Sequence, residues 1–361
     1  MLLITGAAGH LGNVLIRHLL ERGYTDIRAM VLPGEDRTPL AGLKVEIVEA
    51  DITRPEMLPA AFQGVSRVMH LASLVSIGDA AEDVIQRVNV EGTRNIIEAS
   101  KAAQVQRLLY VGSVHAFARP SGPLLDERVP LAEQSSAPYE RTKAAATRLV
   151  LDASSELDTV VAAPSGVFGP FDFKRSEVGT NFRKWITKPA TMMLPGGYDF
   201  VDVRDVAEGL RLVLERGQRG EAYLLGNEWT EMAEMARQVM HQAHGRARVT
   251  LLPLFLAHHV ARVSLWGSKR RGVRPVLTPY SLETLLALPP GLEQSPHRAG
   301  LYGAAHPPDG RGHREMVAGE SQRRGRPPLR CPFRWGLLGE PGRQSPVDRA
   351  AQTPNARQDG R

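Results

Sequence analysis

The sequence predicts an α/β protein built on a doubly wound parallel sheet. Through the first half of the chain, short β-branched runs alternate with helical segments, the pattern of parallel strands connected by helices. The first strand runs directly into a glycine-containing turn and an amphipathic helix, in "MLLITGAAGHLGNVLIRHLLERG". A third observation is a tyrosine placed one helical turn before a lysine, in "APYERTKAAATRLV". On a helix, residues four apart share a face, so these two side chains can point into the same space.

Six segments of the first half are predicted as strands. They are "MLLITG", "IRAMVL", "KVEIVEAD", "VSRVMHLAS", "QRLLYVGS" and "DTVVAAPS". Helices are predicted between them at "GNVLIRHLLERG", which Gly23 ends, at "MLPAAFQ", at "EDVIQRVNVEGTRNIIEASKAA" and around Tyr139.

After Pro164 the alternation becomes less regular. The stretch "GVFGPFDFKRSEVGTNFRKWITKPATMMLPGG" predicts loops and a short helix over a cleft, and "YDFVDVRDVAEGLRLVLERG" with "EAYLLGN" predicts a strand, a helix and a strand. Thr230 is the predicted N-cap of the next helix, and Gly245 is its predicted end. The segment "LLPLFLAHHVARVSLWGSKRR" predicts a buried or dimer-facing helix, with a membrane-surface or lipophilic-substrate segment as the alternative.

Residues 289–361 differ in composition from the rest of the chain. They hold about eleven prolines, eleven glycines and a dozen arginines, with no isoleucine, no lysine and no sustained hydrophobic period. Such a segment is predicted to be disordered. A reading-frame shift in a GC-rich gene is a second hypothesis, because out-of-frame GC-rich codons yield Arg, Pro, Gly and Ala.

Composition narrows the class of protein. The net charge of +6 comes almost entirely from residues 289–361, and the remainder is close to neutral with no basic stripe, so no nucleic-acid partner is expected. The start "MLLITGAAGHLG" has neither a charged region nor a long apolar run, so neither a signal peptide nor a transmembrane segment is predicted. A single cysteine, Cys331, fits a reducing compartment, and we expect the cytoplasm. No metal site is predicted.

The glycines of "ITGAAGHLG" indicate a dinucleotide site. Gly6, Gly9 and Gly12 fall between a strand and a helix, where a tight turn lets the backbone approach a pyrophosphate. The free N–H groups of the helix N-terminus then face the phosphate charge.

Taken together, the glycine spacing TGxxGxxG and the YxxxK pair resemble the short-chain dehydrogenase/reductase superfamily. The resemblance is to its extended branch of NAD-dependent epimerases, dehydratases and dihydroflavonol-reductase-like enzymes, over roughly residues 1–288. Further motifs that match in order are "EADIT", "HLAS", "NVEGTRN", "PSGVFGP" and "DFVDVRDVAEG". The resemblance implies a Rossmann fold comprising residues 1–165, with 199–228 returning to it, and a substrate-binding part formed mainly by 166–288.

Many cofactor-binding residues are implied by this resemblance. In the family, Asp51 hydrogen-bonds the adenine, "HLAS" passes under the cofactor, Asn89 holds neighbouring strands together, and the segment after the sixth strand contacts the nicotinamide. The implied set is Thr5, Gly6, Gly9, His10, Leu11, Gly12, Leu32, Asp51, Ile52, Leu71, Ala72, Ser73, Tyr139, Lys143, Pro164 and Val167.

Ser113, Tyr139 and Lys143 are the predicted catalytic residues. A free tyrosine has a pKa near 10, so it is a poor acid or base at neutral pH unless a nearby cation lowers that value, and Lys143 is expected to supply the cation. The resemblance implies that Lys143 also binds the nicotinamide ribose and that Ser113 holds the substrate oxygen. His115, two residues further on, is interpreted as part of a loop that could line the pocket.

The choice between NAD and NADP stays open, with a slight preference for NAD. An acid at the end of the second strand selects NAD and an arginine selects NADP, but this chain has Leu32 there. Arg37 could reach a phosphate, and Glu35 or Asp36 could reach a ribose.

The leading hypothesis is an NAD(P)-dependent oxidoreductase that moves hydride between the nicotinamide and a carbonyl or alcohol carbon of a small, hydrophobic substrate. A nucleotide-sugar epimerase is the alternative, because basic residues of 165–200 could neutralise a diphosphate; they are Lys174, Arg175, Arg183, Lys184 and Lys188. A non-catalytic dinucleotide-binding protein is the lesser alternative. The resemblance also suggests a homodimer.

Overall fold

The computed structural model describes residues 1–75, 81–119 and 125–253. In these residues the main sheet has seven strands, all parallel to their neighbours. They are β1 (Leu2–Thr5), β2 (Ile27–Val31), β3 (Glu46–Glu49), β4 (Arg67–His70), β5 (Arg107–Val111), β6 (Thr159–Pro164) and, later in the chain, β10 (Ala222–Leu225). Their spatial order is β10-β6-β5-β4-β1-β2-β3. This order reverses direction beside β1, where doubly wound sheets bind their ligands.

Helices cover both faces of this sheet. They are α1 (His10–Glu21), α2 (Leu58–Ala61), α3 (Glu82–Gln86), α4 (Gly92–Ala102), α5 (Pro138–Asp152) and α7 (Val203–Arg216). On β1, Leu2 and Ile4 pack into one core with α1 and α7, whereas Leu3 packs into the opposite core with α4 and α5. Side chains alternate between the two faces of a strand, so three successive apolar residues serve both cores.

The predicted doubly wound parallel sheet is confirmed. All six strands predicted in the first half are present, and the strand, helix and strand predicted for "YDFVDVRDVAEGLRLVLERG" and "EAYLLGN" are found at 197–225. The predicted helix over "EDVIQRVNVEGTRNIIEASKAA" contains a π-helical turn at Arg87–Glu91, between α3 and α4. Single π turns often mark functional sites because they redirect a side chain.

Residues 166–253 add smaller elements beside the sheet. They are β7 (Gly166–Phe168), α6 (Glu177–Thr187), β8 (Ala190–Met193), β9 (Gly197–Asp202), β11 (Glu228–Glu231), α8 (Met232–His244) and β12 (Arg248–Leu251). Strand β9 lies between β7 and β11, and β8 pairs with β12. Helices α6 and α8 enclose a third core with Phe182, Trp185, Phe200 and Met240.

Two details differ from the sequence prediction. Thr230 is not the N-cap of α8, because it is paired with Tyr198 in β11 and the helix begins after Glu231. The strands β7, β8, β11 and β12 were not predicted. Gly245 does end α8, in the left-handed conformation with φ of 66°. The apolar segment at 251–271 lies almost wholly outside the described residues, and the tail at 289–361 lies entirely outside them.

Helices α1 and α7 are joined by an ion network centred on Glu208. Its carboxylate accepts hydrogen bonds from Nε and Nη2 of Arg211, each at 2.8 Å, and lies 2.6 Å from Nε2 of His18. Hydrogen bonding to Arg211 lowers the pKa of Glu208 to about 2, with His18 adding to the effect and burial opposing it. The network therefore stabilises the fold only while Glu208 is ionised.

Glu208→Gln is expected to lower the free energy of unfolding at pH 7 by about 1–2 kcal/mol, a value reduced for the partial exposure of the pair. Because the pKa is lowered on folding, this contribution is complete above the unfolded value of roughly 4.3 and is lost as pH falls through about 2. Urea unfolding at several pH values measures it. Glu21→Gln, at an exposed position of α1, is the matched control, and an equal loss in both variants would contradict the prediction.

Candidate active site

The glycine turn after β1 is packed too closely to accommodate side chains. Gly6 has a φ of 65°, and a Cβ there would lie 2.8 Å from the backbone nitrogen of Ala72, beyond the end of β4. A Cβ on Gly12 would lie 2.3 Å from the carbonyl oxygen of Gly6. Gly9 precedes α1 and leaves the first helical N–H groups without a side-chain cap. The turn therefore offers backbone donors and the positive end of a helix dipole, which suits a pyrophosphate.

A buried polar network fixes the ends of β1 and β4. Thr5 Oγ1 accepts hydrogen bonds from the backbone N–H groups of Leu71 and Ala72, at 3.1 and 3.0 Å, and lies 2.8 Å from Nδ1 of His70. Burial lowers the pKa of His70 to about 3, with Lys143 adding to the effect, so this imidazole is neutral. On its other side Nε2 contacts Thr93 Oγ1, which donates to the carbonyl of Asn89. The pattern assigns the imidazole hydrogen to Nε2 and an accepting lone pair to Nδ1.

Asn89, in the π-helical turn, joins three parts of the site. Its Oδ1 accepts from Leu74 N–H at 2.8 Å and from Ser73 Oγ at 3.1 Å, while its Nδ2 donates to Leu74 O and to Thr142 Oγ1. Thr142 in turn donates to the carbonyl of Tyr139. Asn89 is 1% exposed, so its hydrogen bonds are made without competition from water.

Of the other implied cofactor residues, Asp51, Ile52 and Pro164 lie at the carboxyl ends of strands of the main sheet, and Val167 lies in the three-stranded sheet. Asp51 Oδ1 accepts from the N–H and hydroxyl of Thr53, both at 2.8 Å. Ile52 is buried, and a Cβ on Gly92 would lie 2.6 Å from its Cδ1. Pro164 ends β6 and Val167 lies in β7.

Two implied residues of α1 have side chains engaged elsewhere. His10 Nε2 lies 2.9 Å from the carbonyl oxygen of Pro170, and Leu11 packs against the core shared by α1 and α7.

At the end of β2, Leu32 is exposed and the surrounding charges are paired. The N–H of Leu32 donates to Glu35 Oε2 at 2.9 Å, and the other oxygen of Glu35 forms an ion pair with Lys174. Arg37 forms an ion pair with Glu49. Glu35 and Arg37, which could reach a ribose and a phosphate, thus each have a partner, and Asp36 Oδ1 accepts hydrogen bonds from the N–H and hydroxyl of Thr38.

Ser113, Tyr139 and Lys143 are brought together at the end of β5. Ser113 follows this strand, and Tyr139 and Lys143 lie one turn apart near the start of α5; all three are buried. Lys143 Nζ donates to Val111 O at 3.2 Å and to Tyr110 Oη at 3.4 Å.

Burial acts on both ionisable members of this group. It raises the pKa of Tyr139 to about 12, while the hydrogen bond with Ser113 acts in the opposite direction. It lowers the pKa of Lys143 to about 7. The prediction that Lys143 lowers the pKa of Tyr139 below its ordinary value is therefore wrong. Desolvation is the larger effect, because it disfavours both the tyrosinate form of Tyr139 and the ammonium form of Lys143.

Some residues of this region were not identified as site residues from the sequence. His70 and Thr93 join the polar network, while Glu140 and Tyr198 contact His115. A histidine at the end of a predicted buried strand could have identified His70 from the sequence, and Thr93 as its partner. Nothing in the sequence connects Tyr198 with His115, which lies 83 residues earlier.

Comparison with known proteins places this chain in a family. Residues 2–226 match the model of the NAD dependent epimerase/dehydratase family. Sterol demethylase protein B of Methylococcus capsulatus is 33% identical over 254 residues, covering 70% of this chain and 77% of that protein. A 4-hydroxy-2-methyl-3-oxo-4-farnesyl-3,4-dihydroquinoline-1-oxide ketoreductase of Stigmatella aurantiaca is 30% identical, covering 73% and 80%. The crystal structure of gox2253 superimposes with a TM-score of 0.67 at 31% identity, covering 83% and 95%.

The fold and the glycine turn define a dinucleotide-binding α/β protein. The chain belongs to the NAD-dependent epimerase/dehydratase family. It is an NAD(P)-dependent enzyme of the extended short-chain dehydrogenase type, and the turn at Gly6 and Gly12, which a Cβ would fill, fits the cofactor. In the described ranges, no cluster of three or more His, Cys, Asp or Glu could hold a metal ion, and no helix is long and apolar enough to span a membrane.

Gly12→Ala is expected to weaken cofactor binding more than tenfold and to lower the free energy of unfolding by about 1–3 kcal/mol, because the new methyl group collides with the Gly6 carbonyl. Titration with NADH and NADPH and thermal unfolding measure the two effects. Gly112→Ala is the control, since a Cβ there meets no neighbour closer than 3.4 Å. Similar cofactor affinities for the two variants would contradict the prediction.

Lys143→Met is expected to raise the free energy of unfolding by about 2 kcal/mol at pH 7, because a buried ammonium is replaced by an apolar chain. The lysine pKa is lowered on folding, so charge burial costs most below pH 7, and that cost falls as pH rises from 7 toward the unfolded value of roughly 10.4. The gain should shrink over the same interval in chemical unfolding. Lys44→Met, at an exposed position, is the control; no gain from Lys143→Met would refute the prediction.

Proposed function

We propose that this enzyme reduces a carbonyl group of a hydrophobic small molecule, with Ser113, Tyr139 and Lys143 as its catalytic residues. The observation that carries the proposal is the burial of Ser113, Tyr139 and Lys143 at the end of β5, where Lys143 Nζ donates to Val111 O. A pKa near 12 keeps the Tyr139 phenol protonated at neutral pH. A protonated phenol is a proton donor, which is the group that carbonyl reduction requires.

The side chains divide the chemistry among them. When bound, NAD(P)H supplies hydride to the carbonyl carbon. Tyr139 gives its proton to the carbonyl oxygen, and Ser113 donates a hydrogen bond to the same oxygen as negative charge develops. Lys143, one turn away, stabilises the resulting tyrosinate.

We further propose that the cofactor is held along the carboxyl edge of the sheet. The glycine turn would bind the pyrophosphate, Asp51 the adenine, and Lys143 the nicotinamide ribose. Leu71, Ala72 and Ser73 would pass beneath the cofactor, and Pro164 with Val167 would contact the nicotinamide. Residues 1–165 with 199–228 would form this dinucleotide-binding part, and 166–288 mainly the substrate part.

An apolar substrate is supported by the relatives and by the apolar character of the residues that follow β6. Phe168 stacks on Phe182 with ring centroids 5.7 Å apart, and Trp185 lies against Phe182 at 5.3 Å. One relative is named for sterol demethylation and another is a ketoreductase of a farnesyl-bearing 3-oxo compound. Both names denote large hydrophobic molecules, which supports an apolar substrate for this enzyme.

Nucleotide-sugar epimerisation is the alternative. Among the basic residues considered for a diphosphate, Lys174 is ion-paired with Glu35 and Arg183 donates to the carbonyl of Asp172. These contacts engage two of the side chains that could have bound a diphosphate, and they therefore favour the reductase over the epimerase. We also propose that the protein is located in the cytoplasm, because its single cysteine fits a reducing compartment, and that it forms a homodimer, as the family resemblance suggests.

Tyr139→Phe is expected to lower kcat/KM for carbonyl reduction by about 10²- to 10⁴-fold while leaving the affinity for NADH and NADPH within about threefold, because it removes only the proton donor. Reduced-nicotinamide absorbance is followed with ketones, aldehydes and sterols, and UDP- and GDP-sugars are analysed by chromatography. Tyr24→Phe is the control, because it removes a phenol that follows α1 and donates to Glu215 of α7. Conversion of a nucleotide sugar without net cofactor consumption would contradict the reductase function and support the epimerase.

A further inference from the structure

The turn after β2 brings Glu35 back to the end of that strand. Leu32 and Glu35 are the outer residues of the turn "LPGE", and the N–H of Glu35 donates to the carbonyl oxygen of Leu32 at 3.0 Å. Pro33 and Gly34 form its centre, with a φ of 73° at Gly34, and these are the residues that a type II turn prefers. The Glu35 side chain closes the turn, because its Oε2 accepts from the N–H of Leu32 at 2.9 Å. A carboxylate therefore lies at the carboxyl end of β2, although residue 32 itself is a leucine.

Lys174 holds this carboxylate from a distant part of the chain. Its ammonium forms an ion pair with Oε1 of Glu35, whose side chain is only 14% exposed. The ion pair and the hydrogen bond to Leu32 engage both carboxylate oxygens, so the side chain is fixed from two sides. Each oxygen of an ionised carboxylate has two lone pairs, so each can still accept a hydrogen bond from a ligand.

The loop between β7 and α6, which carries Lys174, is anchored on α1. The carbonyl oxygen of Phe171 accepts from Nδ2 of Asn13 at 3.2 Å, and Asn13 is fully buried. One turn further along α1, the Arg17 guanidinium lies 4.5 Å from the centroid of the Phe171 ring. These contacts hold the loop against the helix that follows the glycine turn, and they bring Lys174 to the end of β2.

The charged residues that follow Glu35 make their contacts elsewhere. Asp36 is exposed, and its Oδ1 accepts from the N–H and the hydroxyl of Thr38, at 2.9 and 2.6 Å. Arg37 forms an ion pair with Glu49 at the end of β3. Of the two acids that the sequence offers for a ribose, Glu35 is thus the one bonded to the backbone at the end of β2.

On the basis of the proposed cofactor position, we propose that Glu35 is the specificity-determining residue that makes this enzyme prefer NAD to NADP. The end of β2 is where a dinucleotide fold distinguishes the two adenosine riboses. A carboxylate there accepts hydrogen bonds from the free hydroxyls of NAD and repels the 2′-phosphate of NADP. In this chain the turn supplies that carboxylate from three residues beyond Leu32. Lys174 lies beside it and would pair with a 2′-phosphate once Glu35 carries no charge.

The experiment titrates the full-length protein with NADH and with NADPH, using nicotinamide fluorescence to measure the two dissociation constants. We expect wild type to bind NADH about 10- to 100-fold more tightly than NADPH, the effect of hydrogen bonds to a charged group. Glu35→Gln should bring the two constants to within about threefold of each other, whereas Glu35→Asp, which keeps the charge, should retain the preference for NADH. Asp36→Asn is the matched control, because it removes the same charge from the next residue; it should keep the wild-type ratio to within about threefold.

The double variant Glu35→Gln/Lys174→Met tests the part assigned to Lys174. The NADPH affinity gained in Glu35→Gln should weaken steeply with added salt, because it depends on an exposed ammonium and a phosphate. In the double variant this gain and its salt dependence should both disappear, while NADH affinity stays as in Glu35→Gln. Retention of the gain in the double variant would contradict the role of Lys174.

The selector role of Glu35 is overturned if wild type binds both cofactors equally or prefers NADPH, or if Asp36→Asn changes the ratio as much as Glu35→Gln. Binding is measured without a carbonyl substrate, so the result is separate from the proposed reduction. A ratio that responds to Glu35→Gln, with no ketone reduced, upholds the inference and removes the reductase. Ketone reduction that Tyr139→Phe abolishes, with an unresponsive ratio, does the reverse. Binding of neither dinucleotide overturns both.

Discussion

The close approach of backbone segments at the ends of β1 and β4 is the constraint on which the site depends. Gly6 and Gly12 leave no room for a Cβ, so the first turn, the start of α1 and residue Ala72 form one packed unit. The Thr5 hydroxyl stabilises this unit, because it accepts two backbone hydrogen bonds and also hydrogen-bonds the neutral, buried imidazole of His70. The same geometry that keeps side chains out leaves backbone N–H groups accessible, so structural packing and the proposed phosphate binding would arise from one feature.

From this unit, hydrogen bonds as well as apolar contacts connect to the proposed catalytic residues. The His70–Thr93–Asn89 network reaches the π-helical turn, and Asn89 continues to Thr142 on α5. Helix α5 carries both Tyr139 and Lys143. A displacement of the first strands would therefore disturb α5, because the buried hydrogen bonds that join them depend on their geometry.

Much of this arrangement could be predicted from the sequence, and the part that could not has a physical explanation. Strand periodicity, the glycine turn and the helical spacing of Tyr139 and Lys143 are local patterns. The sheet and the placement of Tyr139 beside Lys143 on one helix can therefore be predicted from short stretches of sequence. The placement of Thr230 in β11 was missed because its backbone pairs with Tyr198, and that pairing decides between two roles that threonine fills equally well. The contact of His115 with Tyr198 and the raised pKa of Tyr139 depend on tertiary burial, for which no local pattern exists.

The opposite pKa shifts of Tyr139 and Lys143 indicate why a buried lysine suits this site. With the phenol protonated, the ammonium of Lys143 donates to the Val111 carbonyl and the Tyr110 hydroxyl among the described residues, and burial disfavours its charge. Once Tyr139 has given up its proton, the tyrosinate and the ammonium lie one helical turn apart in a medium of low dielectric constant, and each stabilises the charge of the other. The lysine therefore acts on the ionised tyrosine far more than on the neutral one. Its burial reduces the stability of the resting protein, and in the proposed mechanism it would stabilise the state that follows proton transfer.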